Sequence, residues 1–160
     1  MILSTSATFT RPADTTTYTA GDLIANSTTA GSVSPMSFGV SALNGGRGRV
    51  FRVSLHKADD TVTAASFKVH LFSASPTVTN GDNGALAVSS LAAYLGAVAI
   101  DQSSGGTVLA AATVWKDATV SPTIGFSVPY GGAIYGLLEA VGGYAPSSAE
   151  VFTVTLDIEG

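Results

Sequence analysis

The segment EVFTVTLDIE near the C-terminus alternates without a break. Phe152, Val154, Leu156 and Ile158 fall on one side, and Val151, Thr153, Thr155, Asp157 and Glu159 on the other. Successive side chains of an extended strand point to opposite faces, so this pattern specifies a strand with one face in a core and one outside. The same period recurs in GRVFRVSLHK, where Phe51, Val53 and Leu55 alternate with Arg52, Ser54 and His56. It recurs again in FKVHLFSAS, where Phe67, Val69 and Leu71 oppose Lys68, His70 and Phe72. TVLAAATVWK, TIGFSVP and AIYGLLEAV are further strand candidates, separated by Lys-Asp, Ser-Pro and Gly-Gly steps. Leu23–Ala25 and Met36–Val40 suit short or edge strands, and SSLAAYLGAVAID reads as a short helical turn leading into a strand. Eight or nine short strands with frequent turn signals and no sustained helix predict an all-β fold. The expected form is an antiparallel β-sandwich of jelly-roll type.

At 160 residues the chain fits a single domain spanning 1–160, and the Thr-, Ser- and Pro-rich residues 1–35 read as a partly extended N-terminal arm. Charged residues make up 11% of the chain, against about 25% in an average soluble protein. The exterior must therefore be covered by Ser, Thr, Asn and Gly, which favours docking against other protein over repulsion. The net charge of −4 and the absence of a dense basic run leave nucleic acid without its main source of affinity. No cysteine is present, so the fold must stand on packing without disulfides or a thiolate zinc site. The longest apolar run, LAAYLGAVAI, is too short to span a bilayer, and no leader pattern opens the chain. The expectation is a soluble, uncleaved protein with no membrane partner.

Both histidines lie in VSLHKADDTVTAASFKVHLF, with Asp59 and Asp60 between them. If the two flanking strands pair as a hairpin, keeping Phe51, Val53 and Leu55 in the core places them on a face with Phe67, Val69 and Leu71. His56 and His70 then share the outer face with Arg52 and Lys68. That cationic neighbourhood disfavours metal ligation and suits a surface that meets an acidic partner. Asp59 and Asp60 are expected to face solvent from the turn.

Other constellations fall short of a chemical site. GFSVP lacks the second glycine of a nucleophile elbow, with Pro129 in its place, so Ser127 reads as an ordinary strand residue. NGDNG, around Asn80, Asp82 and Gly84, lacks the spaced carboxylates of a calcium loop and reads as a tight surface turn. Glu139 interrupts an apolar strand, so it either lies near the strand's exposed end or pairs with an arginine. Tyr18, Trp115, Tyr130 and Tyr144 sit near strand ends, suited to core-edge packing, interface anchoring or a sugar platform. GGYAPSS, residues 142–148, is the expected contact loop. No paired acids, phosphate loop or cofactor motif is evident, so neither catalysis nor a cofactor is expected.

Three segments carry a resemblance: TFTRPADTTTYTAGDLIANSTTAGSVSPMSF, FKVHLFSASPTVTNGDNGA and YGLLEAVGGYAPSSAEVFTVTLDIE. Together they resemble small structural proteins of tailed-bacteriophage head gene clusters, in places described as capsid decoration or cement proteins. The resemblance spans nearly the whole chain and rests on turn and strand patterns. It implies a jelly-roll-like domain on the outer surface of the virion capsid, made in the host cytoplasm. Such a domain clamps neighbouring copies of the major capsid protein and associates with itself as a dimer or trimer. The candidate partner-binding residues are Arg11, Pro12 and Tyr18 in the arm, Arg52, Lys68 and His70 on the histidine face, and Asn80, Asp82 and Tyr144 in the loops. A carbohydrate-binding or tail-fibre sandwich module is the alternative.

Overall fold

The computed structural model describes residues 1–109, 113–129 and 131–160. Ten strands follow in chain order: β1 (Ile2–Thr10), β2 (Leu23–Ile24), β3 (Met36–Gly39), β4 (Arg47–Lys57), β5 (Ser66–Phe72), β6 (Tyr94–Asp101), β7 (Thr107–Val108), β8 (Val114–Ser127), β9 (Ala133–Ala140) and β10 (Val151–Glu159). They form two antiparallel sheets. The first has the order β1-β10-β4-β8-β7; the second has β2-β9-β5-β6, with β3 also paired to β9.

The order follows from rolling up one long antiparallel ribbon. β5 pairs with β6, β4 with β8, β2 and β3 with β9, and β1 with β10, so each pair lies outside the one before it. Curling that ribbon adds the β4–β10 and β5–β9 ladders and leaves two sheets face to face. This is jelly-roll connectivity, with β2 and β3 sharing one strand position and β7 added at an edge. The sheets approach each other at both rims, where β6 lies against β8 and β1 against β3.

Alternating side chains from both sheets fill the interior. Val53 and Leu55, Phe67, Val69 and Leu71, and Phe152, Val154, Leu156 and Ile158 belong to one buried cluster, as their period predicts. A second cluster lies on the outside of the second sheet. There Phe72 and Leu137 are covered by Leu23 of β2 and by Ala25 and Val78 of neighbouring loops. Phe72 is therefore on the outer face as expected, yet buried.

Several expectations need correction. β4 and β5 do not form a hairpin: residues 58–65 cross from one sheet to the other, and the strands pair with different neighbours. Phe51 is not a core residue. Four residues of β8, Val120 to Thr123, face the single residue Phe51 between the pairs Val50↔Ile124 and Arg52↔Thr119. Pro122 lies in that excess and has no N–H to give the ladder, so the strand bulges around it. Against β10, Phe51 is itself an extra residue, since Asp157 pairs with Arg52 and Ile158 with Val50; parity along β4 reverses there, burying Val50 and turning Phe51 partly outward. β8 consequently runs through both the Lys116-Asp117 and Ser121-Pro122 steps that read as breaks. The segment read as a helical turn is a single turn, closed by Tyr94 N–H to Leu91 O at 3.0 Å, and β6 begins there. Residues 110–112 of the TVLAAATVWK candidate lie outside the described residues, which place β7 and the start of β8 on either side. Residues 1–35, read as an arm, are extended over β1 but belong to the body: β1 pairs with β10 over its whole length, and Tyr18, Leu23 and Ile24 are buried.

The reversed parity has a measurable consequence. Leu55→Ala should cost about 2–5 kcal/mol, the usual range for a fully buried leucine. Phe51→Ala should cost clearly less, as read from urea denaturation midpoints; equal losses would contradict the bulge.

Candidate functional site

The residues singled out in the sequence separate into two groups in the fold: buried charges at one end and open sheet faces. At the end of the sandwich where Thr10, Lys57, Asp101 and Ala140 terminate their strands, four crossings join the sheets: residues 11–22, 58–65, 102–106 and 141–150. Here Arg11, Tyr18, Asp82 and Tyr144 are all buried.

Arg11 donates from Nε to Tyr18 Oη at 2.8 Å, and from Nη2 to Asp14 Oδ1 at 2.9 Å and Asp82 Oδ2 at 3.3 Å. Its Nη1 donates to the carbonyls of Asp14 and Ser147. The Tyr18 hydroxyl donates to Asp82 Oδ1 at 2.7 Å, and the Ala25 N–H reaches the same oxygen at 2.8 Å. A second cluster mirrors the first. Lys57 Nζ donates to Asp59 O at 2.8 Å and lies 3.5 Å from Glu150 Oε1, while the Tyr144 hydroxyl donates to Glu150 Oε1 at 2.7 Å. The two tyrosine rings stack, 6.5 Å apart and 6° from parallel, with Arg11 over one and Lys57 over the other.

Burial dominates the titration of this region. It pushes the Asp82 carboxyl up, against hydrogen bonds from Ala25 and Tyr18, and pushes Glu150 up against Tyr144 and Lys57. Burial and the adjacent carboxylates push both tyrosines well up. Asp14 is held low by hydrogen bonds from the Thr16 backbone and Arg11. Asp59 is also low, because hydrogen bonds from Thr61 and the charge of Lys57 outweigh its burial. Each buried charge is consumed by a partner inside the domain. Arg11, Tyr18, Asp82 and Tyr144 therefore offer no surface to another protein, contrary to the sequence expectation. The NGDNG turn is tight, with Asn83 at φ 62°, and Gly81 has no room for a Cβ, which would lie 1.9 Å from Thr28 O. It is not a surface turn, because Asp82 points inward.

The histidine face also divides. Arg52 and His56 lie outside the first sheet, Lys68 and His70 outside the second. Arg52 Nε bonds Asp157 Oδ2 at 2.5 Å. His70 Nε2 lies 2.5 Å from Glu139 Oε2 and its Nδ1 lies 3.1 Å from the Tyr94 hydroxyl, so Glu139 finds a histidine as its partner. Asp60 is exposed, while Asp59 is drawn toward Lys57. Pro12 is half-buried, and Asn80 is engaged with the Ala85 carbonyl at 2.7 Å. Tyr130 lies outside the described residues. Among the described residues no group of three or more His, Cys, Asp or Glu could hold a metal ion.

The outer face of the first sheet is the more informative surface. Register places three cross-strand rows on it: Ser4–Asp157–Arg52–Thr119, Ser6–Thr155–Ser54–Asp117 and Thr8–Thr153–His56–Trp115–Thr107. Hydroxyls dominate these rows, and Thr8 and Thr153 bond each other at 2.8 Å. Arg52 and Asp157 neutralise each other, and Trp115 is 36% exposed. The sequence hid this surface because its residues come from five strands spread over the chain, and only their register assembles it.

No family model matches the chain, and no curated protein matches it. Among solved structures it is similar to a chain of the cyanophage Pam1 capsid asymmetric unit, at 14% identity and a TM-score of 0.38. The match covers 98% of this chain and 83% of that one.

Two outcomes follow from the buried clusters. Lys57→Met leaves Glu150 without its cation and should cost about 3–5 kcal/mol, with Lys57→Met/Glu150→Gln recovering most of it, as measured by denaturant unfolding. In pH titration, carboxyls raised in the fold bind protons more readily than in the unfolded chain, so Asp82 and Glu150 add stability as pH falls from 7 toward the ordinary carboxylate range near pH ~4. Below it the lowered Asp14 and Asp59 lose their contribution. The thermal midpoint should therefore pass through a mildly acidic maximum, and Glu150→Gln should flatten the rise from neutral pH.

Proposed function

We propose that this protein is a non-catalytic structural component of a phage virion, a decoration or cement protein on the outer surface of the capsid. It stabilises contacts between major capsid subunits by docking the outer face of the first sheet. The observation that carries the reading is that face: an open, hydroxyl-rich surface across five strands, with its arginine neutralised in place. Ser and Thr lose little on desolvation when their hydroxyls find partners, so the face can be covered by another protein at little cost apart from Asp117, a carboxylate in these rows with no ion pair among the described residues. The resemblance of the three segments to phage head proteins supports the same reading. A contact of ordinary size would cover about 800 Å² of this face. Repetition over a closed shell would raise the effective affinity well above that of one contact.

A carbohydrate-binding role is the second reading, and Trp115 favours it. This half-exposed indole beside His56 is a stacking surface of the kind sugars use. Tyr144, paired with it in the sequence reading, is buried and takes no part.

Co-sedimentation of the purified protein with heads lacking it separates the two. Wild type should bind, with affinity changing less than about tenfold between low and high salt, because the face carries little net charge. Thr155→Glu should abolish binding without altering the thermal midpoint. Binding to a glycan array, lost in Trp115→Ala and accompanied by no attachment to heads, would overturn the capsid reading.

A further inference from the structure

β1 is an edge strand without the protection that edges usually carry. Its nine residues, ILSTSATFT, contain no charge, proline or glycine, and they pair with β10 in an unbroken register. Natural edges are blunted by lysine, proline, bulges or short length. The other rims show such devices: β2 and β7 are two residues long, and β6 is interrupted by a register shift at Leu71/Phe72. Among the described residues, Ile2–Thr10 has backbone hydrogen-bond partners only in β10; β3 lies near the far side without bonding it, and a groove between Ala7–Thr10 and Ser34–Ser37 leaves the N–H and C=O groups there unpaired.

The occupant can be read from the strand itself. An antiparallel pair of β1 strands centred on Ser6 sets Ser6 against Ser6, Ser4 against Thr8, and Leu3 against Phe9. The exposed side of β1, with Ser4, Ser6 and Thr8, then meets only hydroxyls across the two-fold axis. The inner side meets only apolar or methyl-bearing groups. Leu3, Ala7 and Phe9 are packed against the core but partly exposed at the rim, so a neighbouring strand would complete their burial. Ile2, 72% exposed, would lie opposite Thr10. The chain carries a net charge of −4, yet no like charges meet along this seam.

We propose that a second copy of this chain pairs with β1 edge to edge, joining two five-stranded first sheets into one continuous ten-stranded sheet about a two-fold axis. The pairing is isologous, so it closes at a dimer and leaves no further β1 edge open. It concerns the purified protein and stands apart from the capsid reading.

The absence of native cysteine makes a register-specific test clean. In the proposed dimer the two Ser6 Cα atoms lie about 4.5–5.5 Å apart, within disulfide reach. The two Ser4 positions lie roughly 14 Å apart, four residues out of register and beyond that reach. Sedimentation equilibrium of wild type at about 100 μM should give twice the 16.0 kDa of one chain. Under mild oxidation Ser6→Cys should cross-link to a dimer and Ser4→Cys should not. Ser6→Lys, which sets two ammonium groups face to face, should run as a monomer, with a thermal midpoint close to that of wild type diluted until its dimer dissociates. A monomeric wild type at that concentration overturns the proposal, as does cross-linking of Ser4→Cys as readily as Ser6→Cys.

Discussion

The stack of Tyr18 on Tyr144, with a buried cation over each ring, fastens the end of the sandwich at which the rolled ribbon would otherwise open. A jelly roll crosses between its sheets several times, and each crossing must satisfy its backbone without a ladder. Here three of the four crossings at this end meet and bond one another. Arg11 N–H reaches Glu150 O at 3.0 Å, Tyr18 N–H reaches Tyr144 O at 2.9 Å, and Ala58 N–H reaches Val151 O at 2.9 Å. The side chains repeat the linkage: Arg11 ties the first crossing to Ser147 of the third, and Lys57 ties the second to Glu150. Asp82 brings in the long loop between β5 and β6, which lies over the second sheet. Charges buried this way contribute less to net stability than to uniqueness, since a slipped crossing would leave a carboxylate or ammonium dry and alone.

That fastening makes the two outer faces unequal. The loop held by Asp82 covers part of the second sheet, and its apolar residues bury Phe72 and Leu137 beneath it. The first sheet has no such loop over it, and its rows of Ser and Thr reach the surface on all five strands, with Ser54 at the centre buried among its neighbours. A sequence with 11% charged residues has few ions to distribute, and this fold places several of them in internal pairs. The result is a nearly neutral open face, which is a surface suited to being covered.

Period two made the core of β5 and β10 legible, because parity is a local property: Phe67 and Phe152 follow from their immediate neighbours. Pairing is not local. Alternation says which way a side chain points but not which strand lies beside it, so two strands adjacent in sequence were read as a hairpin although they belong to different sheets. The reversal at Phe51 was hidden for a related reason, since it shows only in the register of β4 with β10 and β8, both distant in the chain. Arg11, Lys57, Asp82 and Glu150 were illegible as interior residues because a charge looks like a surface residue until its partner is known, and these partners are distant in sequence. Tyr144 was placed on a loop tip by its Gly-Gly and Pro neighbours. Glu150, six residues on, draws its hydroxyl inside.

The open face and the free edge belong to the same sheet but present different groups. Docking through the face uses side chains that stand perpendicular to the sheet, whereas pairing through β1 uses backbone groups in its plane. Neither contact consumes the other's atoms, so both can be made at once. Edge pairing would also set two copies of the face side by side with a relative twist of roughly 20–25° between the adjoining strands, as in any continuous sheet. A gently curved, doubled surface would then engage a target twice for one loss of translational freedom, so that weak single contacts would suffice. For a chain whose exterior offers hydroxyls in place of charges, geometry of this kind is the available route to firm attachment.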